Sequence, residues 1–172
     1  MILLNHSQIE ALLNNMAAQL RMHLQEEQAP VYMLGIHTGG YWIAERFYER
    51  IGLKSELGGL DIHLYRDDFS RIGIRYPVHP SHLPWGIDNA TIILVDDVLH
   101  TGRTIRAALN ALFDYGRPAR IILAILVQRH GRELPVSADI VGTDMVLPDD
   151  QHLKLYGPEL LSLHQVTRSS RS

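Results

Sequence analysis

Cysteine is absent from the 172-residue sequence. Disulfides, thiolate nucleophiles, cysteine-ligated zinc and iron–sulfur clusters are excluded together, so any chemistry must run on oxygen and nitrogen groups. Lysine is nearly absent too. Of sixteen basic residues only Lys54 and Lys154 are lysine, leaving fourteen arginines, the cation whose planar fork suits phosphate and carboxylate. No apolar run approaches the roughly 18 to 20 residues of a spanning helix, and Met1 to Ser7 lacks the basic-then-apolar pattern of a secretory leader. A soluble, cytoplasmic chain with no membrane contact is expected. A surplus of basic charge is missing as well. Nineteen acidic against sixteen basic residues give a formal charge of −3, without the electrostatic footprint of a dedicated nucleic-acid binder. There are no repeats or evident linkers, and 46% hydrophobic content over this length fits one globular domain, residues 1–172.

What is present alternates in period. Ser7 and Glu10 form a capping-box pattern ahead of Ile9, Leu12, Leu13, Met16 and Leu20, which predicts a helix fading before Pro30. Val31 to Ile36 reads as a buried strand, His37-Thr38-Gly39-Gly40 as a turn, and Tyr41 to Ile51 as a helix closed by Gly52. Leu60 to Tyr65 is a second strand. Arg66 to Asn89 is polar, holds three prolines and shows no period, the pattern of a functional lid or a misread hairpin. Ala90 to Val95 is a third buried strand, Thr104 to Tyr115 an amphipathic helix ended by Gly116 and Pro118, and Ile121 to Val127 a fourth strand. Beyond Gly131 only short apolar pieces around Ile140 and Leu153 stand out. This alternation predicts an α/β fold, a Rossmann-like parallel sheet flanked by helices, with ligands at the carboxyl ends of its strands.

The chemistry concentrates in one segment, Ile92-Ile93-Leu94-Val95-Asp96-Asp97-Val98-Leu99-His100-Thr101-Gly102-Arg103-Thr104. An apolar strand runs into two carboxylates, then into a glycine-containing turn between threonines that opens a helix. Backbone N–H groups at a helix start, with threonine hydroxyls, suit a phosphate monoester. The carboxylates upstream suit a vicinal diol or a ligand-held Mg²⁺. Diol plus phosphate describes a ribose 5-phosphate. The spacing matches neither a Walker loop nor a dinucleotide glycine fingerprint. The bland alternative is a strand end followed by a threonine cap.

These residues resemble the signature of the type I phosphoribosyltransferases, which bind phosphoribosyl pyrophosphate (PRPP). Within that group the chain is similar to the PyrR family of pyrimidine operon regulators that are also uracil phosphoribosyltransferases. Val95 to Leu99 with Thr101 to Ala108 resembles the PyrR signature, Tyr65-Arg66-Asp67-Asp68 its segment before the mobile loop, and Arg132-Glu133-Leu134-Pro135 with Ala138-Asp139 its base-side segment. The similarity runs from about Ile9 to Val166.

The resemblance implies a type I phosphoribosyltransferase fold with a small hood and a mobile lid at about 70–83. It implies that Asp96 and Asp97 hold the ribose hydroxyls, with PRPP-bound Mg²⁺ near them. Val98, Leu99 and His100 with Thr101, Gly102, Arg103 and Thr104 form the PRPP loop, and Thr38, Gly39 and Gly40 face the pyrophosphate. Arg71 and Arg75 are the cations of the lid, Arg75 with a catalytic part. Gln128, Arg129, Ile140 and Val141 surround the base. His100 stands where 6-oxopurine enzymes of the superfamily carry an Asp, which points to a pyrimidine. Three departures from relatives are visible: His37 and Gly39 where basic residues are common, Gln128 where an Asp is usual, and His130-Gly131 in inverted order. His79 and His82 form an H-x-x-H pair without a third ligand, insufficient for a metal site.

The implied reaction is uracil plus PRPP giving UMP and diphosphate, with regulation of pyrimidine genes by UMP or UTP. The alternative is an RNA-binding or protein-mediated transcriptional regulator, a nucleotide sensor with little catalysis. Leader RNA is the implied macromolecular partner, for which Arg21, Arg103, Arg106, Arg117 and Arg120 are the available cations. A homodimer or tetramer is implied, and the apolar Tyr41, Trp42 and Phe47 suit a partner surface or the core equally.

Overall fold

The computed structural model describes residues 1–63 and 80–167. In chain order its elements are β1 (Ile2–Leu4), α1 (His6–His23), β2 (Val31–Ile36), α2 (Gly39–Ile51), β3 (Gly58–Leu60) and β4 (Thr91–Leu99). There follow α3 (Arg103–Phe113), β5 (Arg120–Arg129), β6 (Ile140–Met145), β7 (Gln151–Tyr156) and β8 (Ser162–Thr167). Five strands form a sheet in the order β3-β2-β4-β5-β6, every pairing parallel, and β1, β8 and β7 form a small antiparallel sheet.

The central strands are apolar on both faces because both faces are covered. Ile93 and Val95 of β4 pack with Leu13, Met16, Ile43 and Phe47 of α1 and α2, whereas the alternating Ile92 and Leu94 pack under Ile105, Ala108 and Leu112 of α3. Each of the larger of these side chains contributes about 1.5–3 kcal/mol by leaving water. Leu155, Leu161 and Leu163 tie the small sheet into the first of these two cores. Phe47 is part of that core, fully buried, and so is not free to face a partner. Among the described residues no helix is long and apolar enough to cross a membrane.

The structure moves several boundaries. Helix α1 is capped by Asn5, whose side chain accepts from Gln8 N at 3.0 Å while Gln8 Oε1 accepts from Asn5 N at 2.9 Å. Ser7 lies inside the helix, because pairing of β1 with β8 ends at Leu4 and sets the entry two residues earlier than the Ser7–Glu10 pattern suggests. Strand β4 runs on to Leu99, so Asp96 and Asp97 are strand residues. Strand β3 ends at Leu60, where Leu60 to Tyr65 was expected to begin; residues 64–79 lie outside the described residues. Arg71, Arg75 and most of the expected lid at 70–83 fall there, as does Tyr65-Arg66-Asp67-Asp68. Its far end is described: His82 and Gly59 exchange backbone hydrogen bonds of 2.8 and 2.9 Å, hairpin-like, at the β3 edge.

Candidate functional site

Helix α2 carries the chain from β2 outward to β3, and α3 carries it from β4 the opposite way to β5. Strand order therefore reverses between β2 and β4, and a crevice opens beyond their carboxyl ends. Two segments meet at this crevice: the turn Thr38-Gly39-Gly40 after β2, and Asp96 to Thr104 after the apolar part of β4.

Their contact is close because two side chains are missing. A Cβ at Gly40 would stand 2.7 Å from the Val95 carbonyl oxygen, 2.8 Å from Asp96 Oδ1 and 2.9 Å from Asp96 Cα. A Cβ at Gly39 would collide with the Asp97 carboxylate. Gly39 thus lets the turn lie against the acidic pair. The His37–Thr38 peptide within it is cis, and the His37 ring stacks on Tyr41 at 4.6 Å. Asp96 is 5% exposed and accepts from Asp97 N at 2.9 Å; Asp97 Oδ1 accepts from Val98 N at 2.9 Å. Burial pushes the Asp97 carboxyl above the usual carboxylate range, and hydrogen bonds from its surroundings only partly offset this.

Helix N-termini distinguish this crevice from the rest of the fold. Helix α1, remote from it, has a complete capping box, whereas α2 and α3, which both start at it, have no side-chain cap hydrogen bond. The α3 turn is held instead by Gly102 at φ +95° and by Thr101, whose Oγ1 accepts from Arg103 N at 3.3 Å. Thr101 O accepts from both Glu133 N and Leu134 N at 3.0 Å, and Arg103 Nε donates to Glu133 Oε2 at 2.8 Å. The 128–134 segment thereby wraps the turn. Val98 packs partly against one core and Leu99 is buried in the other, so these two present backbone to the crevice.

A pocket of about 250 Å³ lies beside this turn, lined by Gln128, Arg129, His130, Gly131, Arg132 and Asp144. His100 backs it: a Cβ at Gly131, itself at φ +111°, would stand 2.7 Å from His100 Nε2. Gly131 is thus required both by its backbone and by the ring. Burial, then the charge of Arg129, holds the His100 imidazole below its ordinary range and hence neutral at pH 7. Arg132 donates from Nη1 to the His100 carbonyl.

Two expected base residues sit elsewhere. The parallel register sets Ile140 beside Ala124 and Val141 beside Ile125, three or four residues short of the edge where Gln128 meets Asp144. Ile140 is fully buried, and the Val141 carbonyl accepts from Gln19 Nε2 at 3.1 Å on the α1 side. Arg129 alternates away from Gln128 and is 2% exposed; its guanidinium donates to Gln151 O at 2.8 Å and Pro148 O at 2.9 Å. It anchors β7 and lines the pocket from behind. Asp144 and Arg132 line the pocket together with Gln128. Pairing of β5 with β6 was the missing signal for Asp144, since no local pattern marks it.

Residues 2–157 match the phosphoribosyl transferase domain. The bifunctional protein PyrR of Nitrosococcus oceani is 53% identical over 157 residues, 89% of this chain and 88% of that protein. The chain belongs to the PyrR family of phosphoribosyltransferases. The PyrR protein of Pseudomonas aeruginosa is 49% identical over 163 residues, covering 94% and 95% of the two chains. Among solved structures, a hypoxanthine phosphoribosyltransferase of Trypanosoma cruzi aligns with a TM-score of 0.68 at 15% identity, covering 86% of this chain and 78% of that one. At that identity the likeness is one of fold.

Proposed function

We propose that this PyrR-family chain transfers the phosphoribosyl group of PRPP to uracil, giving UMP and diphosphate, and uses the same pocket to sense uridine nucleotides. The observation that carries the reading is the convergence of two helix N-termini without side-chain caps on one crevice, with two carboxylates between them. PRPP has two anionic ends and a diol in the middle. The α3 turn at Thr101 to Thr104 takes the 5-phosphate through backbone N–H groups and threonine hydroxyls. Thr38, Gly39 and Gly40 turn backbone toward the diphosphate, and Asp96 and Asp97 accept hydrogen bonds from the ribose hydroxyls. The C1–O bond to diphosphate breaks, C1 bonds to N1 of uracil, and the N1 proton leaves. Gln128 and its neighbours orient the base beside C1. Adjacent carboxylates are hard oxygen donors of the kind Mg²⁺ takes one or two of while keeping water and substrate oxygens, so Asp96 and Asp97 fit a cation carried by PRPP. When bound, Mg²⁺ neutralises charge on the departing diphosphate.

Purified protein with Mg²⁺, PRPP and labelled uracil is expected to form labelled UMP. Absence of product at high enzyme concentration overturns the catalytic reading.

The name shared by the relatives, bifunctional protein PyrR, favours a second role in gene regulation. Arg21, Arg117 and Arg120 each donate to a backbone carbonyl while remaining accessible, which holds their charges at fixed places on a chain of net −3. A gel shift of the protein's own pyrimidine-gene leader RNA, with and without UMP at moderate salt, is expected to show tighter binding than scrambled RNA and a response to the nucleotide. Equal binding to both RNAs excludes regulation by this route.

A further inference from the structure

Three polar side chains at the outer end of β5 and β6 form one directed chain. Arg132 Nη2 donates to Gln128 Oε1 at 3.2 Å, and Gln128 Nε2 donates to Asp144 Oδ1 at 2.8 Å. A guanidinium can only donate, and an ionised carboxylate can only accept. The two partners therefore fix which end of the Gln128 amide is oxygen and which is nitrogen, an ambiguity that an unpartnered amide retains. Each end keeps one function unused: the oxygen a second lone pair, the nitrogen a second N–H. Gln128 and both partners line the same pocket.

We propose that Asp144 is a positioning residue that locks the Gln128 amide in the orientation matching the 4-oxo and N3–H edge of uracil and opposing the 4-amino and N3 edge of cytosine. The inference rests on the reading above that a pyrimidine occupies this pocket. A 4-oxopyrimidine presents an acceptor beside a donor, which one amide answers with N–H and C=O at once. A 4-aminopyrimidine presents the same two functions exchanged. To pair with it the Gln128 amide must rotate by half a turn, which sets its NH₂ against the Arg132 guanidinium and its oxygen against the Asp144 carboxylate. Both existing hydrogen bonds are then replaced by repulsions, a larger penalty than one lost bond. Discrimination thus comes from a residue that need not touch the base, and it is directed against the wrong ligand.

UMP and CMP share phosphate and ribose and differ at this edge alone, so their dissociation constants, measured by calorimetry on the full chain, isolate it. Wild-type protein is expected to bind UMP about tenfold or more tightly than CMP. Asp144→Asn, near-isosteric and exposed, accepts either amide orientation, and the ratio should fall to about threefold or less. Gln128→Leu should remove the preference as well, and adding Asp144→Asn to it should change nothing further. General damage to the site would weaken both nucleotides together and leave their ratio intact. An unchanged ratio in Asp144→Asn, a further change in the Gln128→Leu background, or a wild type indifferent to the base overturns the proposal. These are binding measurements, so a chain that sorts UMP from CMP yet fails to turn over uracil would refute the catalytic reading and leave the lock standing.

Discussion

Asp97→Asn is expected to reduce kcat/KM for PRPP about 100-fold, the scale of removing one preorganised polar group from a site, while raising the melting temperature. Asp97 lies beside another carboxylate at the end of a buried strand, and burial raises its affinity for a proton. A carboxyl whose folded value lies above its unfolded value loses stability as pH rises from about 3.9, the unfolded value, through the folded one. At neutral pH the raised carboxyl therefore costs stability. Asparagine keeps the shape and can still accept from Val98 N, but carries no charge to desolvate and none to repel Asp96. The variant should melt higher than wild type at pH 7, and the gap should shrink as both are acidified. Thermal melts across pH, paired with initial rates at varied PRPP, check both halves. Undiminished kcat/KM would remove Asp97 from the reaction, and a lower melting temperature would contradict the burial argument. The opposite signs are those of a site held in place against its own electrostatics by the rest of the fold.

Gly40→Ala is expected to be the more damaging change to the molecule as a whole. The added carbon meets backbone, the Val95 carbonyl oxygen at 2.7 Å and Asp96 Cα at 2.9 Å, which no side-chain rotation relieves. Either α2 or the end of β4 must move. Overpacking of this kind costs about 1–3 kcal/mol, or about 2–4 °C in Tm for each kcal/mol in a chain of this length. Since the displaced atoms include the Asp96 carboxylate, PRPP turnover should fall further than stability does. Gly86→Ala, where a Cβ meets nothing within 4 Å, is the control and should leave melting unchanged. Equal melting temperatures for the two variants would mean that the close approach of turn and strand is not required.

The features legible in the sequence were those encoded locally. Val31–Ile36 was readable as a strand because its residues lie under cover, the last four fully buried, and Gly52 as a helix end because it adopts φ +70° there. The pairing of two carboxylates with a T-G-x-T turn was likewise visible, since strand, turn and helix start are contiguous. What was not legible depends on partners distant in the chain. Strand β1 is three residues long and exists because Ile2 lies beside His164. Asp144 reaches the pocket through its register with Gln128, whereas that register carries the more apolar Ile140 into the core and sets Val141 short of the edge. Arg129 adjoins Gln128, but neighbours on a strand face opposite ways, and its guanidinium is held by the carbonyls of Gln151 and Pro148.

The pairing of β1 with β8 also sets an order of assembly. The parallel sheet closes through contacts between successive units of the chain, so β2, β4 and β5 and the carboxylate end of the crevice can form while later residues are still being synthesised. The small sheet cannot. Its first strand precedes α1 and its partner spans Ser162–Thr167, so closing that loop bears the largest entropy cost of any pairing in the fold. Arg129, buried against the carbonyls of Pro148 and Gln151, must wait for β7 in the same way. A chain stalled short of Ser162 would thus hold the parallel sheet and the crevice at its edge while β1 still waits for its partner strand.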